Sequence, residues 1–466
     1  MSAAITPRHL GAPVLVLGLG LGLVGGLAGW PLAAPRAAHA DTPPTASGEP
    51  APDESLLGTV EVNGSAGGLP PLPKMAVVPV YPVAVADTLV NVVVHRDMDL
   101  SGQFDVLPDD KAPPGPFTHS SALDLGAFRA EGAEYVLRVF AQPSAADSTK
   151  TELVGEAFVT PAGKAGSGAP EPKPAYRGVV LTATTEVRAA SHRLADQLLG
   201  ALTGRPGGFA SDMVYAQKVG RWRRVYALDA DGFDLHAVGP DNATAVSPAF
   251  GPGNQVFFAL SRDYSSFHVV FGPDATAVPM TIPGSVLGLA FSPDHRRMAL
   301  TVMSEGKASV WMGEDGKLSP MASPPFANHP VFGPLGKVAY VAGSPVQRVY
   351  VDGKAISPPG FMASAPVFCD TPQGLLLIYT VGVGPGADII ASDTSGGSVR
   401  RLTQHEGSNT YAACSPDGRL VSFFSTGKRG QGAGLFIMPI QRPWLAKKIS
   451  GEVGDSLRWE ALPPPK

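Results

Sequence analysis

Cysteine is almost absent: Cys369 and Cys414 are the only two in 466 residues. Two cysteines cannot complete a zinc cluster by themselves. Charge is also sparse, at 16% of residues, with 36 Lys and Arg against 40 Asp and Glu. That slight acidic excess lacks the basic footprint of a nucleic-acid-binding chain. One uncharged run, residues 14–30, approaches the length of a membrane span, and no other stretch does. No G-x-S-x-G nucleophile elbow and no H-E-x-x-H occurs, and the ten histidines are scattered singly. The chain therefore reads as a non-enzyme, with no cofactor expected. A dinucleotide-like G-x-G-x-x-G at Gly20, Gly22 and Gly25 follows no strand and falls within the N-terminal run, so it carries no chemistry.

What is abundant is glycine and proline, 55 and 47 residues, as suits a turn-rich β protein. Five segments repeat one pattern: 247–260, 288–302, 329–342, 365–380 and 411–425. Each is a small-apolar strand, a Pro/Gly/Asp turn and a second apolar strand. The anchors are Phe250, Phe291, Phe332, Phe368 and Cys414, with Trp459 as a sixth, at spacings of 41, 41, 36, 46 and 45. A period near 40 with several strands per unit predicts a β-propeller. Three strands precede the first repeat, at 212–217, 223–228 and 234–239, and a lone strand ends the chain at 456–461. The simplest closure places that last strand innermost in the blade whose other three come first, giving six blades.

Ahead of the ring, residues 1–40 read as a signal peptide: Arg8 and His9, the uncharged run, then Ala38-His39-Ala40. An uncleaved anchor is the alternative, and a lipidated form would need a Cys at the cleavage site. Removal takes away Arg8 and Arg36, leaving 34 − 40 = −6. Residues 41–73 read as a disordered leader containing one alternating, strand-like segment at Thr59-Val60-Glu61-Val62-Asn63. Residues 74–205 read as an α/β domain with three helices and a mixed sheet. Asp87 is the expected N-cap of its first helix, Gly204 stops its last, and 160–174 is expected as a long hairpin loop. Residues 209–466 form the propeller. The fold class is thus α+β, a small α/β domain followed by an all-β propeller.

Two acidic clusters could suggest a metal. Asp97, Asp99, Ser101 and Gly102 imitate half a calcium loop, but its twelfth position is Pro108 rather than Glu. Asp229, Asp231 and Asp234 sit where Asp-Gly hairpin chemistry explains them. Both read as structural. Equivalent strands of neighbouring blades are expected to lie too far apart for a disulfide, so Cys369 and Cys414 are expected as buried free thiols.

The order of several pieces resembles the TolB family, periplasmic propeller proteins of the Tol–Pal envelope system. They are Met75-Ala76-Val77-Val78-Pro79, residues 97–104, the helix through His192 to Gly204, the hairpin 226–234, and the stretch from Arg401-Leu402-Thr403 to Ser415-Pro416-Asp417-Gly418. Only Ser292-Pro293-Asp294 and Ser415-Pro416-Asp417-Gly418 keep the family's turn core, and the leader and the 160–174 insert are long. The resemblance implies a periplasmic, non-enzymatic protein acting in outer-membrane integrity, division and protein transport. Its implied partners are the lipoprotein Pal, TolA and other outer-membrane proteins, with no metal. TolA would take Thr59, Val60, Glu61, Val62 and Asn63 by strand addition. Pal would meet the loops entering the inner strands, through Ser285, Asn328, His329, Glu406, Asn409 and Tyr411. The rival reading is an exported propeller scaffold that binds a carbohydrate or peptide outside the Tol–Pal system.

Overall fold

The structure is a computed structural model describing residues 52–58, 68–81, 84–113, 117–161, 173–427 and 430–461. The expected signal peptide, the first part of the leader, most of the 160–174 insert and the segment Thr59 to Asn63 lie outside the described residues. Among the described residues no helix is long and apolar enough to cross a membrane.

The N-terminal domain runs β1 (Lys74–Val77), α1 (Val85–Leu100), β2 (Asp105–Val106), α2 (Leu125–Ala130), β3 (Tyr135–Pro143), β4 (Lys150–Val159), β5 (Tyr176–Ala183) and α3 (Val187–Thr203). Its sheet has the order β2-β1-β3-β4-β5, parallel around β1 and antiparallel thereafter. Val90, Val94 and Met98 of α1 and Leu194 and Leu198 of α3 are buried on this sheet. Burying each such side chain contributes on the order of 1.5–3 kcal/mol. Asp87 is not the N-cap. Helix α1 begins two residues earlier, and Asp87 occupies its third position. There its carboxylate accepts from the N–H groups of Ala84 (3.1 Å) and Ala141 (2.8 Å) and meets His119 Nε2 at 2.9 Å. Helix α3 stops at Gly204, whose φ of 80° suits a residue without Cβ.

The propeller has six four-stranded blades. The closing blade joins β6 (Asp212–Val219), β7 (Trp222–Asp229) and β8 (His236–Val238) to Asp455–Trp459, which pairs antiparallel to β6 as its innermost strand. The other innermost strands are Thr244–Phe250, Ser285–Phe291, Asn328–Phe332, Ala363–Thr371 and Asn409–Cys414, in blades one to five. Closure is locked by Trp459, whose Nε1–H donates to Ser211 Oγ at 2.9 Å, and by Leu457, which is fully buried.

Two expectations about the chain change here. Cys369 and Cys414 are joined in a disulfide, with their Cα atoms 5.5 Å apart. Blades converge toward the axis, and at the innermost strands neighbouring chains come within bridging range. The leader is also ordered in part. Glu54–Leu57 forms a 3-10 turn capped by Asp53, and Leu57 is fully buried with Ile356, Phe361 and Val381. Glu54 pairs with Arg401 (3.0 Å) and His405 (3.3 Å). Disorder was read from low apolar content, but one leucine and one carboxylate suffice when a complementary surface already exists.

Candidate functional site

Two places concentrate polar chemistry: the propeller channel and the joint between the domains. In every blade the register of the innermost strand slips once, marking a β-bulge. Three residues before each anchor stand Ser247, Gly288, His329, Ala365, Tyr411 and Ser456. Five of these have φ between 47° and 56°, a region non-glycine residues seldom enter; Gly288 is the exception. All six line one cavity on the propeller axis. The bulges are tied to neighbouring blades. His329 N–H donates to Thr301 Oγ1 at 3.1 Å, Tyr411 N–H to Thr380 Oγ1 at 3.3 Å, and Ser247 Oγ–H to the Leu287 carbonyl at 2.8 Å.

The residues expected on the loops thus separate. His329 and Tyr411 turn into the channel together. Asn328 stays near the mouth, where its amide donates to the Phe326 carbonyl at 2.9 Å. Ser285 Oγ accepts from Phe267 N–H at 2.9 Å. Glu406 is half-buried in the loop before Asn409–Cys414. Asn409 differs from a contact residue: it is buried, with its amide directed to the Ala387 carbonyl (3.3 Å) and Asp388 (3.4 Å). An amide at a strand start fills blade hydrogen bonds before it can reach a partner. Burial, and then the charge of Arg458, pushes the His329 imidazole down to about 4, so it is neutral at pH 7.

The joint is built from α1, α3 and the β7–β8 turn. Arg188 reaches Asp229 Oδ2 at 2.5 Å and Asp231 Oδ2 at 2.6 Å. His192 Nδ1 lies 2.7 Å from Asp97 Oδ2, and its Nε2 lies 3.4 Å from Asp229. Arg96 donates to the Asp231 carbonyl at 2.7 Å, and both guanidinium groups lie over the Phe233 ring, at 4.7 and 5.1 Å. Burial, the largest influence on His192, works against its charge. The facing carboxylates of Asp97, Asp229 and Asp231 together outweigh it and raise the imidazole to about 10. Asp97 is raised to about 6 by burial, against the pull of His192. Asp196, one turn further along α3, is raised to about 7 by burial although it accepts from the N–H groups of Phe209 and Ala210. A Cβ at Gly207 would collide with the Asp196 carboxylate and the Leu199 side chain, so a larger residue there would have to displace them.

Asp97, His192 and Asp231 bring ligand atoms within 4.8 Å of one another. Arg188 and Arg96 pair with Asp231, and His192 with Asp97 Oδ2, which forms an ion-pair network whose two guanidinium groups repel a cation, although Asp97 Oδ1 makes no hydrogen bond. Sequence reading took Asp97 for a helix end and Asp229 and Asp231 for turn residues. The signal it missed is Arg188 and His192, four apart on one face of α3.

Residues 60–154 match the family described as the TolB amino-terminal domain. The Tol-Pal system protein TolB of Azoarcus sp. (strain BH72) is 28% identical over 165 residues, 35% of this chain and 35% of that protein. Its counterpart from Methylococcus capsulatus is 26% identical over 41% of this chain and 42% of its own. The aligned stretches thus span less than half the length of these relatives. In three dimensions the chain is similar to the crystal structure of TolB from Acinetobacter baumannii. The TM-score is 0.67 at 17% identity, covering 84% of this chain and 97% of the other. The resemblance read from the sequence is borne out: residues 60–154 match the TolB amino-terminal domain, a six-bladed propeller follows, and the whole has the fold of a solved TolB.

Proposed function

We propose that this protein is a non-enzymatic, periplasmic component of the Tol–Pal envelope system. It binds Pal through the propeller face where the inner strands begin, and TolA through residues 59–63, supporting outer-membrane integrity and division. The observation that carries this reading is the coexistence, in one chain, of the TolB amino-terminal match over residues 60–154 with a propeller similar to a solved TolB over 84% of the chain.

Pal would meet Ser285, Asn328 and Glu406 around the mouth, with His329 and Tyr411 deeper in the channel. The TolA segment is flanked by docked residues on both sides. Leu57 is buried in the propeller, and the carbonyl of Pro70 accepts from Arg442. A segment tethered at both ends has less freedom to pair with a foreign strand, and loosening either tether on Pal binding would expose it. Strand addition would then seat Val60 and Val62 in alternate pockets.

The test is calorimetric titration of residues 41–466 with the periplasmic domain of Pal from the same organism. The expected result is a dissociation constant of about 1 μM or tighter, corresponding to about 8 kcal/mol. A well-folded protein that takes up no Pal refutes this function and leaves the exported peptide- or carbohydrate-binding scaffold.

A further inference from the structure

The middle of the propeller channel holds a cation without a counter-ion. Arg458, on the closing strand, lines both the axial cavity of bulge residues and a wider cavity of about 370 Å³ at the anchor end. Its guanidinium donates to the Leu457 carbonyl at 3.0 Å. Among the described residues no carboxylate pairs with it, whereas Arg223 has Asp455 and Arg419 has Asp417. Burial alone pushes the Arg458 guanidinium down to about 10. Beside it, Nδ1 of His329 is shielded from solvent and has no partner.

Toward the anchor end the wall is aromatic: Phe250, Phe291, Phe332, Phe368 and Trp459. The same repeat positions that build the blades thus form a ring of hydrocarbon around one charge. Two carboxylates reach this cavity, Asp370 and Glu460. Glu460 accepts from Asp212 N–H, and burial raises its pKa.

An unpaired guanidinium in a confined site loses hydration without recovering it, and a carboxylate seated on its fork restores paired, charge-assisted hydrogen bonds. The cavity lies in the size range of small-ligand sites. We propose that the anchor-end mouth of the channel binds a small organic monoanion, a carboxylate carried on an apolar or aromatic body. The carboxylate sits on Arg458 and the body lies against the five aromatic side chains. A single charge is specified because Asp370 and Glu460 oppose a second. The site is independent of the Tol–Pal reading and lies at the channel end opposite the face assigned there to Pal.

The experiment titrates the purified protein calorimetrically with benzoate, with benzyl alcohol as its uncharged counterpart, and with inorganic phosphate. Benzoate should bind at least about tenfold more tightly than benzyl alcohol, a difference of about 1.4 kcal/mol. Arg458→Gln should remove that preference, and Arg458→Lys should retain part of it. Equal binding of benzoate and benzyl alcohol, or no binding of either, overturns the site. Phosphate binding more tightly than benzoate overturns the apolar body. Should Arg458→Gln fail to fold, the comparison in the unaltered protein decides the matter alone.

Discussion

Arg188 of helix α3 holds Asp231 of the first propeller hairpin at 2.6 Å, and Asp231 is completely buried. Removing that cation leaves the buried carboxylate only Arg96 at 3.6 Å and the Phe233 N–H, whereas unpairing a buried charge outright costs about 3–5 kcal/mol. Arg188 itself is a quarter exposed, so the lower end applies. We expect Arg188→Ala to lower stability by about 2–3 kcal/mol and to split thermal unfolding into two transitions, one per domain. The double variant with Asp231→Asn should recover part of the loss. A single transition at the native temperature would show that the joint does not couple the domains.

The same joint sets a pH dependence. His192 rises from 6.5 to about 10 on folding, so its contribution is full below about pH 6.5 and is lost as pH climbs toward 10. Asp97 and Asp196 rise from 3.8 to about 6 and about 7. A carboxyl raised by folding is ionised more readily in the unfolded chain, so each destabilises the fold increasingly as pH rises through that interval. All three effects have the same sign. Melting temperature should fall between pH 6.5 and 10, and His192→Gln should flatten that decline while lowering stability at pH 6. A flat profile in the unaltered protein contradicts the charged imidazole.

Ring closure rests on the last strand. Truncation before Gly454 removes Leu457, Trp459 and the Trp459–Ser211 bond. Each of the two side chains contributes on the order of 1.5–3 kcal/mol. The truncated protein should melt earlier and become sensitive to proteolysis in β6 to β8. Unchanged melting would refute this closure.

The Cys369–Cys414 bridge spans 45 residues and links blades four and five. Chain-entropy reasoning assigns such a loop about 4 kcal/mol. Replacing both residues by Ser should lower the midpoint of chemical denaturation, and adding reductant to the unaltered protein should reproduce the effect. If reductant leaves the midpoint unchanged, the bridge does not restrain the unfolded chain.

On the proposed Pal face, His329→Ala combined with Glu406→Ala should weaken Pal binding by about 1–3 kcal/mol. His329 carries no charge at pH 7, so the loss should be the same at low and high salt for that residue alone. Unchanged affinity removes these loops from the interface.

The ring was legible because its signal is local and repeated. A Pro/Gly/Asp turn between apolar strands recurs near Phe250, Phe291 and Phe332, and closure follows from counting strands. The joint was not legible, because Arg188 meets residues 41 and 43 positions away, and Asp-Gly turn chemistry already accounted for its partners. The channel residues fell between. His329 and Tyr411 were found as residues where inner strands begin, but a bulge decides that they point to the axis, and a bulge has no local sequence mark. Arg458 passed unnoticed beside the anchor Trp459, since one charge among alternating strand residues looks like any solvated position.

The bond from Trp459 to Ser211 joins residues 248 apart. Five blades can pair their own strands as they leave the ribosome, but the sixth waits for a strand that is synthesised last. An unfinished chain therefore carries an open β6 edge, a template for unwanted pairing. Synthesis of the Asp455–Trp459 strand is therefore what lets the ring shut, and a product ended before it would keep that edge bare.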